Sequence, residues 1–212
     1  SVIEPLISLI TNISFDHQSL LGNTLEAIAA EKAGIIKKHT PVVISETQAL
    51  TEKVFLTKAD AEEAPIIFAD QLYSVELLCF EQGEMIVNIY RDQQLFLPRL
   101  ACGLSGEYQM KNLCGVLATV ELLQPSLHME EESIRKGIKE VSQLTGLKGR
   151  WQTVQQNPLV ICDTGHNEAG MSYIAHQLKS LSYRKLNIVC GAAQDKDSEN
   201  ILSLLPADAW YI

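Results

Sequence analysis

The segment LISLITNI, residues 6–13, is almost continuously apolar and rich in β-branched side chains. A strand with one wet face alternates polar and apolar residues, so an unbroken run needs cover on both faces. Val2 to Ile13 therefore reads as a buried strand of a parallel sheet. Parallel strands cannot be joined by hairpins and need crossovers, usually helices, which points to an α/β arrangement. The next residues fit: a helix with Thr24 as cap and Gly34 as terminator, then a short strand at Pro41–Ser45. A helix over Ala49–Glu63 and a strand at Ile66–Ala69 follow. A chain that opens on a central strand is expected to be truncated, with its neighbours supplied upstream.

From Val75 to Leu100 the pattern changes to short alternating runs, VELLCF, MIVNIYR and QLFLPRL, with Gln82-Gly83 between the first two. That predicts an antiparallel meander. Helices are expected over Glu107–Leu123 and Glu130–Leu144. The stretch Leu144–Arg150 carries two glycines and no periodicity. A domain boundary is placed there, giving parts 1–146 and 147–212. Beyond it strand and helix alternate: Leu159–Cys162, Ala169–Leu181, Leu186–Cys190, Ser198–Leu205 and a strand start at Trp210–Ile212. Such alternation predicts a doubly wound α/β domain. It breaks off early, so this end of the chain also looks cut.

Seventeen basic against 26 acidic residues give a formal charge of −9, with no Lys/Arg block. That argues against a general nucleic-acid surface, whose affinity comes from neutralising phosphates. It leaves room for a small anion held by a few placed donors. The five cysteines are widely spaced and form no C-x-x-C pair, so neither a disulfide framework nor a zinc ribbon is indicated. A reduced, cytoplasmic protein is expected. No 18-residue apolar run marks a membrane span.

The first chemically informative stretch is TNISFDHQSLLGNTLEAIAAEKAGIIKKHTPVV. His17 follows a buried strand, at the end where parallel sheets present functional loops. Lys32 lies near a helix end between Ala30 and Ala33. Taken bare, Lys32 is a nucleophile, a phosphate ligand or only a favourable charge at a helix C-terminus, and His17 is equally a hydrogen-bonded loop residue. A second stretch, GEYQMKNLCGVLATVELL, is an amphipathic helix in which Asn112 alone would pass as a surface residue. A third, GLKGRWQTVQQNPLVICDTGHNEAG, places Arg150 after the glycines and Asp163 at the end of a strand. Exposed charge and helix cap are their plain readings.

In order and spacing these stretches resemble the Mur ligase superfamily, in particular its folylpolyglutamate synthase/dihydrofolate synthase branch. The first carries the T-N-I-x-x-D-H, L-G-x-T, I-A-x-E-K-A-G-I and P-V-V elements, with 15 residues from His17 to Lys32. The resemblance implies that His17 is a magnesium ligand and that Lys32 is carbamylated and also serves the metal. A carbamate is a hard, anionic oxygen donor of the kind Mg²⁺ prefers, and forming it requires a neutral amine. Gly106, Gln109 and Asn112 keep the spacing of a family helix that sets its asparagine near adenine. Arg150 and Asp163, 13 residues apart, match a P-G-R…D-x-A-H-N-P junction. Arg150 and Asp163 would then serve ATP, and His166 the incoming amino acid or the acyl phosphate. Lys148, Thr164, Gly165 and Glu168 depart from that pattern. Gly191 to Asp197, GAAQDKD, resembles a further family loop.

Implied overall are part of a central ATPase domain and a truncated Rossmann-like glutamate-ligase domain. The activity implied is ATP-dependent addition of L-glutamate to folate or dihydropteroate, with ATP and Mg²⁺ at two sites, by a protein that is monomeric when full-length. Neither nucleic acid nor membrane is an implied partner. The family's G-x-x-x-x-G-K-[ST] loop does not occur in these 212 residues, so the fragment alone is expected to be inactive. Two other readings stand beside this one: a cell-wall Mur ligase and a non-catalytic nucleotide-binding module.

Overall fold

The computed structural model describes residues 3–15, 21–191 and 202–212. Strand β1 (Ser8–Ile10), helix α1 (Leu25–Ala33), β2 (Val42–Ile44), α2 (Glu52–Ala61) and β3 (Ile66–Phe68) alternate as expected. The three strands form a parallel sheet in the order β1-β2-β3. Thr24 caps α1 by accepting the Ala27 N–H at 3.1 Å. On one face Val42 and Ile44 pack with Ile28 and Ala29 of α1 and Phe55 and Ala59 of α2. Val43 points the other way, into a cluster with Leu113, Cys114, Leu117 and Ala118. Both faces are covered, so the apolar run cannot alternate. Each such side chain contributes about 1.5–3 kcal/mol when fully buried.

A single turn, α3 (Ala69–Leu72), leads into the meander β4 (Tyr73–Glu81), β5 (Glu84–Arg91) and β6 (Gln94–Cys102). Its two tight turns, Gln82-Gly83 and Asp92-Gln93, have positive φ at both central residues, the mirror-image turn whose twist suits a hairpin. Met85, Val87, Ile89, Leu97 and Leu100 close over α4 (Gln109–Leu127), which lies between meander and parallel sheet. Gly115 allows that approach. A Cβ there would stand 1.8 Å from Ser45 Oγ.

Several expectations need correction. Of the described part of the Val2–Ile13 run only Ser8–Ile10 is paired, because its partner β2 is equally short. The helix expected over Glu130–Leu144 is two, α5 (Glu131–Lys139) and α6 (Val141–Thr145), separated by Glu140 outside helical geometry. Strand β7 (Gln152–Gln156), unforeseen in its run of glutamines, pairs antiparallel with β8 (Leu159–Cys162). After α7 (Glu168–Ser180), strands β9 (Asn187–Ile188) and β10 (Trp210–Tyr211) form a separate parallel pair. The strand-helix-strand order is as expected, but β8 is not joined to β9. The expected helix Ser198–Leu205 lies partly, and the GAAQDKD loop mostly, outside the described residues. No described helix is long and apolar enough to cross a membrane.

Candidate functional site

A cavity of about 390 Å³ opens where the carboxyl ends of β1 and β2 meet the start of α4 and the loop after β8. Parallel sheets bind ligands at that end, where strands stop and backbone groups remain to be satisfied. Thr11, Asn12 and Ser14 follow β1, Glu46 follows β2, Tyr108 precedes α4, and Lys111 and Asn112 lie in the first turn of α4. The opposite wall is Arg150, the loop 163–167 and Tyr173 of α7. A larger cleft of about 440 Å³ runs beside Gly83, Lys139 and Gln152–Gln156. It shares Arg150 but holds none of Asn112, Asp163 and His166, so the smaller cavity is the candidate site.

Asp163 organises the wall. Its Oδ2 accepts the Trp151 N–H at 2.6 Å and the Tyr108 O–H at 3.0 Å, and its Oδ1 accepts the Gly165 N–H at 2.7 Å. Three of roughly four acceptor positions of the carboxylate are thus used. Helix capping falls instead to Asn167, whose Oδ1 accepts the Gly170 N–H at 2.8 Å. Arg150 donates through Nη1 to Thr164 Oγ1 and, at 3.2 Å, to Gly149 O. Among the described residues its Nε and Nη2 make no hydrogen bond. Gly149, at φ +68, lets this turn close, since a Cβ would lie 2.4 Å from Thr164 Cγ2. His166 is exposed, with Nδ1 3.1 Å from Thr164 O. A carbonyl only accepts, so this contact is a hydrogen bond with Nδ1 as the donor.

On the facing wall Asn112 Nδ2 donates to Gln109 Oε1 at 2.8 Å. The Asn112 carboxamide oxygen is left able to accept and its second N–H to donate. Lys111 Nζ is 2.6 Å from Glu46 Oε1 and 5.6 Å from the centre of the Tyr173 ring. Burial pulls its pKa down, but the bonds to Glu46 and Tyr173 outweigh that and hold it above the usual lysine range. Burial, then the Asp163 charge and hydrogen bond, raise the Tyr108 hydroxyl well above the usual range. Tyr108 and Tyr173 approach to 6.0 Å between ring centres, tilted by 57°.

The structure therefore brings together Asn112, Arg150, Asp163 and His166. Lys32 stands just outside, exposed, its Nζ 3.4 Å from the backbone oxygen of Asn12, itself a cavity residue. His17 lies outside the described residues. Among the described residues no group of His, Cys, Asp and Glu is arranged to hold a metal. Sequence reasoning missed Glu46, Tyr108, Lys111 and Tyr173. Glu46 was findable, as the first charged side chain beyond the carboxyl end of a buried parallel strand. Tyr108 and Lys111 sit inside a stretch already singled out for Asn112. Tyr173 has no local signal, because its role depends on how α7 docks.

Residues 149–212 match the family model of the Mur ligase glutamate ligase domain. Over its whole length the chain is 31% identical to a dihydrofolate synthase/folylpolyglutamate synthase of Bacillus subtilis, covering 49% of that protein. It is 29% identical to a folylpolyglutamate synthase of Lacticaseibacillus casei, over 93% of this chain and 45% of that one. An FPGS–AMPPCP–folate complex superposes with a TM-score of 0.87 at 26% identity, over 100% of this chain and 51% of that one. The Mycobacterium tuberculosis folylpolyglutamate synthase complexed with ADP and AMPPCP gives 0.84 at 29%, over 96% and 46%. The chain spans about half the length of the curated relatives it matches.

Proposed function

We propose that this chain, a relative of the folylpolyglutamate/dihydrofolate synthases that spans about half their length, supplies one side of the nucleotide site of an ATP-dependent ligase. The whole protein joins L-glutamate to the carboxylate of folate or dihydropteroate. Residues 1–146 act as the end of a central ATP-binding domain and 147–212 as the start of the glutamate-ligase domain. It works as a monomer in the cytoplasm. The observation that carries this reading is the shared cavity: Asn112, Arg150, Asp163 and His166, from segments far apart in sequence, line one space. The relatives are folate-branch enzymes, so the cell-wall alternative is not favoured.

In the reaction a substrate carboxylate oxygen attacks the terminal phosphorus of ATP, the bond to the bridging oxygen breaks, ADP leaves and an acyl phosphate forms. The amine of glutamate then attacks the acyl carbon, loses a proton and expels phosphate. Asn112, which both donates and accepts, faces the base edge. Arg150, with Nε and Nη2 available, holds phosphate oxygens as a delocalised cation. Asp163 acts by fixing Tyr108, Trp151 and the loop that bears His166. His166 stands just before α7, at the end of the helix whose dipole favours an anion, and serves the glutamate step.

Magnesium, when bound, would screen the charge of the transferring phosphoryl group. His17 and a carbamylated Lys32 would hold one such ion. The placement of Lys32 fits, since its amine already reaches the Asn12 backbone at the cavity rim. The test is ATP-dependent incorporation of labelled glutamate by the whole protein, with tetrahydrofolate, dihydropteroate and a UDP-sugar acid compared. Turnover with a pteridine substrate is expected. Turnover with the UDP-sugar alone, or with none, overturns the reading.

A further inference from the structure

The seam between α7 and the loop 103–108 is held by a side chain outside every motif. Gln177 is 3% exposed. Its Oε1 accepts the Glu107 N–H at 3.0 Å and its Nε2 donates to Ser105 O at 2.8 Å. Both partners are backbone groups, about 70 residues earlier in the chain. In isolation this is a satisfied buried amide. What gives it reach is where each side leads. The loop runs directly into Tyr108 and the first turn of α4, which carries Lys111 and Asn112. Helix α7 begins at the loop that carries Asp163 and His166. One amide therefore ties one wall of the cavity to the other.

Nearer the cavity the Tyr108 hydroxyl bond to Asp163 also joins the two walls, whereas the links beside Gln177 are more open to water. His176 Nδ1 stands 3.3 Å from Glu107 Oε2, with the histidine side chain 75% exposed, so that pair is screened. The Lys111–Tyr173 contact is 5.6 Å long. Burial makes the Gln177 contacts the costly ones to lose, because an amide N–H and a carbonyl would be left without partners.

We propose that Gln177 is a positioning residue, whose amide fixes α7 against the 105–107 backbone and so sets the spacing between Asn112 and Arg150. This rests on the nucleotide reading only where activity is measured.

Two variants of the whole protein test it. Gln177→Ala removes both bonds, and amide hydrogen exchange across residues 103–110 should accelerate without any ligand. Gln177→Glu keeps the shape. Its carboxylate can accept from Glu107 but opposes the Ser105 carbonyl, which also only accepts. At about pH 8 the KM for ATP should rise roughly tenfold, with a smaller change in kcat. As pH falls toward about 6 the defect should shrink, because burial raises the new carboxyl's pKa and the protonated form donates again. Wild type, which carries the same His176 and Glu107 pair, is run in parallel and should show no such recovery. The glutamate variant keeps the test open if Gln177→Ala fails to fold.

Unchanged exchange in Gln177→Ala overturns the proposal whatever the activity. Faster exchange with a normal KM for ATP overturns the positioning role, as does a pH-independent defect in Gln177→Glu. Wild-type protein without ATP turnover would strike the nucleotide reading, while the exchange result still decides the seam.

Discussion

The Tyr108 hydroxyl donates to Asp163 Oδ2 across 3.0 Å, joining residues 55 positions apart. The same oxygen accepts the Trp151 N–H, and the other carboxylate oxygen accepts the Gly165 N–H. One side chain thus connects the entry to α4, the start of β7 and the loop that leads to α7. Burial, then the Asp163 charge, raise the tyrosine hydroxyl well above its usual range, which keeps it a donor.

Tyr108→Phe keeps the ring and deletes one donor to a charged acceptor. A bond of that kind contributes about 1.5–3 kcal/mol. Nucleotide binding by the whole protein, followed by calorimetry, should weaken by up to that amount while the fold persists. Unchanged affinity would show that the bond does not shape the site.

Arg150→Ala and His166→Ala should fail differently. Loss of Arg150 is expected to impair ATP use, costing on the order of 2–4 kcal/mol of barrier if it stabilises charge as other preorganised groups do. Loss of His166 should impair reaction with glutamate and leave nucleotide affinity nearly unchanged. Steady-state kinetics with ATP and glutamate varied in turn separate the two. The reverse pattern contradicts the division of labour.

Lys32→Ala should abolish most activity and leave the thermal midpoint close to wild type, since the side chain is exposed. Short carboxylates added to the variant should restore part of the rate, by standing in for the carbamate. A fully active variant removes Lys32 from the metal site.

Gly149→Ala should destabilise the fold. The residue sits at φ +68, and an added Cβ would lie 2.4 Å from Thr164 Cγ2. Backbone strain and overpacking each cost about 1–3 kcal/mol, read as a lower urea midpoint. An unchanged midpoint would mean that the 149–164 turn is free to rearrange.

The parallel sheet was legible because Val42, Val43 and Ile44 are apolar together, and only cover on both faces permits that. The meander was legible from alternation and from Gln82-Gly83. Strand β7 was not, since three of the five residues of QTVQQ are glutamine, with no apolar alternation, and its pairing is set by β8 rather than by its own pattern. The candidate site residues stood out only through motif order. Taken singly, Asn112, Arg150 and Asp163 each have an ordinary surface or capping explanation. The structure then places them around one cavity, which neither composition nor periodicity implies. Tyr173 and Gln177 depend on contacts between distant segments. Local sequence carries no record of those.

The central claim is that the cavity between α4 and the loop after β8 receives the nucleotide. The most direct measurement is a crystal structure of the whole protein with AMPPCP and Mg²⁺. The account predicts the base beside Asn112 and the phosphates within hydrogen-bonding distance of Arg150. A nucleotide bound elsewhere, with this cavity empty, would contradict it.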